Sequence, residues 1–239
     1  MNENNIINVE QENNDTPKWK LWQAVVVLIA ANFIAIIPAF FMGVGNGANL
    51  IGINLISFFL QAVCFCLVPL YIVCLYYKQS PTLLGIKKLT ASMYLKAVLW
   101  ASLFYFINII VSMLQTAIFS NQNMELQSIL LLFDYAVNGF EKYGLIFCIV
   151  VLAPISEETL FRAFLYPPLK QMVGRKPAML FAAILFAAVH GSVWVFLPML
   201  VGGFGFVWLY DRYHNLAMNI FAHMTWNIIA LLLFFATQA

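Results

Sequence analysis

Pro154-Ile155-Ser156-Glu157-Glu158-Thr159-Leu160-Phe161-Arg162 lies inside a long apolar run, from about Tyr143 to Leu169. Two adjacent carboxylates and a guanidinium occupy positions where hydrocarbon is expected. An ionised group at bilayer depth costs at least about 2.5 kcal/mol, and a chain that keeps one there normally uses it. The surrounding composition supports the membrane reading. Of 239 residues, 63% are hydrophobic and 9% charged, whereas a soluble domain carries about 25% charged residues. The fold class expected is all-α: a polytopic transmembrane bundle with the site inside it. The formal net charge of +2 is too small to indicate a nucleic-acid partner; the lipid bilayer is the partner that composition implies.

Working outward, a span needs about 20 apolar residues. Trp22 to Met42, Leu50 to Tyr77 and Met93 to Phe119 supply three spans. Ser128 to Val137 is apolar but short and interrupted by Asp134, which fits an interfacial or re-entrant helix. The fourth span is Tyr143 to Leu169. Pro177 to Val195 reads as the fifth, with His190 inside it. Phe196 to Tyr210, rich in glycine, is the sixth, and Asn215 to Ala236 the seventh. About seven spans are expected; eight if Ser128–Val137 crosses. Residues 1–17 read as a disordered cytoplasmic tail, 18–127 as N-terminal transmembrane helices and 128–239 as a catalytic transmembrane unit.

Seven spans put Lys78, Lys87, Lys88, Lys96, Lys170, Arg175, Lys176 and Arg212 on the side of Lys18 and Lys20, with Lys142 opposite. By the positive-inside rule the N-terminus is then cytoplasmic. The four cysteines, Cys64, Cys66, Cys74 and Cys148, have no His or carboxylate at ligand spacing and read as small buried hydrophobes.

On a helix, Glu158 and Arg162 share a face and can pair. Glu157 points about 100° away from Glu158, so one carboxylate can be neutralised while the other faces a cavity. A carboxylate shielded from bulk water is a candidate general base. The plainer alternative is an ionic lock of both glutamates with Arg162. His190 follows Phe186 by one turn, and His223 and Asn227 lie on one face four residues apart. Both of the latter can donate to a developing oxyanion, or simply pack helices through polar side chains. His214 sits in a charged loop and reads as solvated. Glycines 202, 203 and 205 permit close helix approach beside the site. Base, water-orienting group and oxyanion donors together are the parts needed to hydrolyse an amide.

Glu157-Glu158-x-x-x-Arg162, then Phe186-x-x-x-His190, then His223-x-x-x-Asn227, in that order, resembles the CPBP family. These are the type II CAAX prenyl proteases and the bacteriocin-processing or self-immunity membrane proteins, also called the Abi family. The resemblance covers about Gly144 to Leu233. It implies that Glu157 with His190 activates water, that His223 and Asn227 form the oxyanion hole, and that Glu158 and Arg162 support the site. One departure is Ala163, where the family often has glycine.

The function expected is an intramembrane endopeptidase acting on a peptide or membrane-protein substrate in a bacterial plasma membrane. Two alternatives stay open: a non-proteolytic immunity or regulatory protein that binds a partner, and a small proton-coupled transporter, against which the lack of internal repeats counts. No cofactor is expected, since His-Glu-x-x-His is absent. The alternative is Zn²⁺ on Glu157, His190 and His223 with water as fourth ligand.

Overall fold

The computed structural model describes residues 16–42, 50–119 and 128–238. The expected tail falls almost wholly outside these residues. Among these residues seven longer helices follow one another: α1 Leu21–Met42, α2 Leu50–Tyr76, α3 Ala91–Ile118, α4 Gly139–Val173, α5 Arg175–Ala188, α6 Val193–Tyr213 and α7 Leu216–Gln238. No strand occurs among the described residues. Ser128–Leu131 and the 3₁₀ turn Leu132–Asp134 form the short segment before α4, too brief to cross a bilayer.

Six of the helices are long and apolar enough to span. α1, at 22 residues, reaches about 33 Å, which matches a hydrocarbon core of about 30 Å. The exception is α5. The sequence suggested a span from Pro177 to Val195, but α5 has 14 residues, or about 21 Å. Gly191, at φ 71°, adopts a left-handed conformation that ends the helix and turns the chain into α6. His190 therefore lies in the turn between α5 and α6, not inside a span.

α4 is the centre. It packs against α1, α2, α5, α6 and α7, whereas α3 packs against α6 and α7 from outside. Half of the most apolar stretch of α4 is buried inside the protein, against 11% for α3. Glycines on α6 let it sit close to its neighbours. A methyl group on Gly203 would come 3.1 Å from both Ala183 O and Phe186 Cδ1, and one on Gly202 would come 3.3 Å from the Trp226 ring.

Three π-helical stretches interrupt the α-helices among the described residues: Tyr71–Tyr76, Cys148–Leu152 and Glu158–Leu165. Each lies two residues from a proline: Pro69, Pro154 and Pro167 respectively. Proline lacks an N–H and crowds the carbonyl one turn back; in a membrane helix a local π adjustment re-pairs the freed groups. The wider turn also exposes carbonyls to other helices. Trp19 Nε1 donates to Phe164 O at 2.7 Å, and Asn227 Nδ2 donates to Ile149 O at 2.7 Å. Trp19 is fully buried and stacks on Phe164, ring centroids 5.7 Å apart.

One end of the bundle is tied by polar contacts. Lys18 N donates to Gln79 Oε1, Leu216 N to Gly85 O and Asn215 Nδ2 to Lys88 O. Asp211 pairs with Lys170 and Arg175. His214 is at this end too, and it is not simply solvated. It is half-buried, caps α6 at φ 44° and packs edge-on against Tyr210. Burial, then Lys87 and Lys170, hold its pKa below the ordinary 6.5, opposed by Asp211.

Two outcomes are expected. Trp19→Phe keeps the stack and loses the indole hydrogen bond, lowering stability by about 1–3 kcal/mol, as measured by denaturation in detergent. For His214 the folded state favours the neutral ring. Its contribution is complete above the unfolded pKa near 6.5 and is lost as pH falls through the lower folded value. His214→Asn, which tolerates the left-handed conformation, flattens the decline in melting temperature between neutral and mildly acidic pH.

Candidate active site

The centre of the site is a buried carboxylate. Glu158 is 0% exposed, and an uncompensated charge there would cost several kcal/mol. Its compensation comes from two helices. Arg162 Nη1 approaches Oε1 at 3.0 Å from the next turn of α4. From α7, His223 Nδ1 lies 2.8 Å from Oε1, and Asn219 Nδ2 donates to Oε2 at 2.6 Å. Arg162 is itself 1% exposed. Its Nη2 donates to Gly203 O at 3.3 Å, and its guanidinium carbon lies 4.1 Å from the centre of the Phe186 ring. Phe206 and Phe161 stand farther round the same group. The bare carbonyl edge of a glycine and the faces of aromatic rings thus replace water around the cation.

Glu157 points elsewhere, as the turn of the helix requires. It is partly exposed and lines a cavity of about 580 Å³, together with His190, His223 and Asn227. Of the two readings of the acidic pair, the lock applies to Glu158 and Arg162, and the cavity to Glu157. Glu157 Oε2 stands 3.9 Å from His223 Nε2. The outer wall is mostly apolar, with Phe58 of α2, Tyr105 and Asn108 of α3, and Phe234 of α7. A second cavity of about 570 Å³, between Gln115, Phe119 and Trp194, contains none of the motif residues.

Both imidazoles have a defined tautomer. His190 Nδ1 lies 2.7 Å from Phe186 O, and a carbonyl only accepts, so Nδ1 carries the proton. His223 Nδ1 faces a carboxylate and carries its proton for the same reason. In the neutral rings each Nε2 is then the bare nitrogen. Phe186 packs edge-on against both rings, with centroids 4.9 Å from His190 and 6.1 Å from His223. Phe206 stacks on His223 at 4.6 Å and 25°. Asn227 gives one amide hydrogen to Ile149 O and lines the cavity.

Glu157, His190, His223 and Asn227 therefore line one cavity, with Glu158 and Arg162 sealed behind it. As an oxyanion donor, His223 would need a second proton, on Nε2. Among the described residues no three His, Cys, Asp or Glu side chains gather as a metal-ligand set. Sequence reasoning missed Asn219 and Phe206. The signal for Asn219 was present: Asn215, Asn219, His223 and Asn227 recur every fourth residue and form a polar stripe on α7.

Removing Arg162 tests the lock. Arg162→Leu strands the Glu158 carboxylate and is expected to cost about 3–5 kcal/mol in equilibrium denaturation. Adding Glu158→Gln removes the stranded charge and recovers part of that loss.

Residues 139–229 match the family model described as type II CAAX prenyl endopeptidase, Rce1-like. The matched stretch contains all three motifs, and it agrees with the family resemblance they carry. The chain is also 35% identical over 80 residues to UPF0177 protein YajF of Lactococcus lactis subsp. lactis (strain IL1403). That alignment takes in 33% of this chain and 38% of the relative, so it spans well under half of either. No solved structure matches the chain. At the level of the family, the resemblance is to CAAX-protease-like intramembrane endopeptidases, and six apolar helices make the chain an integral membrane protein.

Proposed function

We propose that the chain hydrolyses a peptide bond of a peptide or membrane-protein substrate by a metal-independent mechanism with Glu157 as the base. The observation that carries this reading is the 3.9 Å gap between Glu157 Oε2 and the bare His223 Nε2 at the wall of the cavity. It is too long for a hydrogen bond and suits one water donating to both. That water attacks the substrate carbonyl carbon while Glu157 takes its proton. Asn227, through its remaining amide hydrogen, stabilises the oxyanion. His190 Nε2, also on the cavity lining, orients the water or the attacked amide. Glu157 then returns the proton to the leaving nitrogen, and the C–N bond breaks to give a carboxylic acid and an amine.

The basic residues at the tied end of the bundle favour a cytoplasmic N-terminus in a bacterial plasma membrane. The substrate class that fits there is a secreted peptide precursor or a membrane-protein segment, without a requirement for a prenyl group.

Comparing new peptide termini in membranes expressing wild type or Glu157→Gln tests the activity. The substitution preserves size and removes the base. Termini are expected only with the wild type, and their yield is expected to survive EDTA. Identical termini in both membranes reject proteolysis; loss of activity on chelation with recovery on Zn²⁺ rejects the metal-independent route.

A further inference from the structure

Asn219 is completely buried on α7, one turn before His223. Both of its amide hydrogens are used: one on Glu158 Oε2 at 2.6 Å, the other on Phe206 O at 3.0 Å. Its own Oδ1 has no partner. The opposite amide orientation would set Oδ1 against a carboxylate oxygen, so charge fixes which way the group points. A buried amide that leaves its acceptor unpaired is poorly suited to be mere packing, because the orphan oxygen costs free energy. What the position uses is the two donors.

Those donors converge on one ring. The first anchors Glu158 Oε2, which prevents the carboxylate from rotating and leaves Oε1 toward His223 Nδ1. The second anchors the backbone of Phe206, whose ring stacks on the imidazole. A carboxylate that fixes an imidazole tautomer is a recurring device in hydrolytic sites; here the carboxylate is itself fixed from the helix that bears the histidine.

We propose that Asn219 is a positioning residue which keeps His223 in the Nδ1–H tautomer with Nε2 bare toward Glu157. The proposal rests on the reading of His223 as part of the water-activating set, and its test separates the two. The chain has three histidines, so ¹⁵N NMR of ring-labelled protein in nanodiscs, assigned with His190→Asn and His214→Asn, reads His223 directly. In the wild type, neutral His223 is expected to show Nδ1 protonated and Nε2 unprotonated. In Asn219→Leu, similar in volume but without donors, both tautomers are expected, and the yield of Glu157-dependent termini is expected to fall about tenfold. Should Asn219→Leu fail to fold, Asn219→Val gives the same readout with a smaller side chain. An unchanged His223 pattern in a folded variant overturns the proposal, as does an Nε2–H tautomer in the wild type. A shifted tautomer in a protein that yields no termini at all supports the role of Asn219 and rejects the proteolytic reading instead.

Discussion

The requirement to bury one carboxylate in an apolar interior governs most of this structure. Glu158 has no contact with solvent, and each feature around it supplies a hydrogen-bond donor or a positive charge. Arg162 must then be buried as well, which demands a carbonyl and aromatic faces. Gly203 O provides the first and the Phe186 ring the second. His223 joins the same carboxylate, and that bond decides which of its nitrogens meets the cavity.

The backbone of α4 adapts to this burden. Its two π stretches flank Pro154 and end two residues before Pro167. Between and within them lie the two glutamates and the arginine. Side chains from α7 and from the segment before α1 reach the carbonyls of these stretches. An irregular helix in a membrane is tolerable where other protein groups complete its hydrogen bonding, and Asn227 and Trp19 do that here. Asn227 has therefore two tasks, one structural and one facing the cavity.

Much of this was legible from the residues. Long apolar runs gave α1, α2, α3, α4, α6 and α7, because hydrocarbon thickness sets a length that a run of residues either meets or misses. The separation of Glu157 from Glu158 followed from helix geometry alone. The fifth helix was misjudged because apolar residues continue from α5 into α6 across Val189 to Val195, and hydropathy has no term for a left-handed glycine. His190 moved with it, from a helix interior to a turn. Asn219 and Phe206 escaped notice because their importance lies in what they touch. An asparagine four residues before a histidine is common; only the fold places it against a carboxylate 61 residues away in the chain. His214 was misread because a loop between two helix ends, rich in charge, can still be covered by its neighbours.

The ion pair of Glu158 and Arg162 has one further consequence, because both partners lie on adjacent turns of one helix. The partners that complete it, Phe186, Gly203, Phe206, Asn219 and His223, all follow in the chain and emerge later during synthesis. When α4 first enters the bilayer, its carboxylate and guanidinium can already neutralise each other without waiting for a second helix. Paired in this way, the two groups cost less in lipid than two separate charges would. The last three helices then surround this internally paired helix and order it into a site.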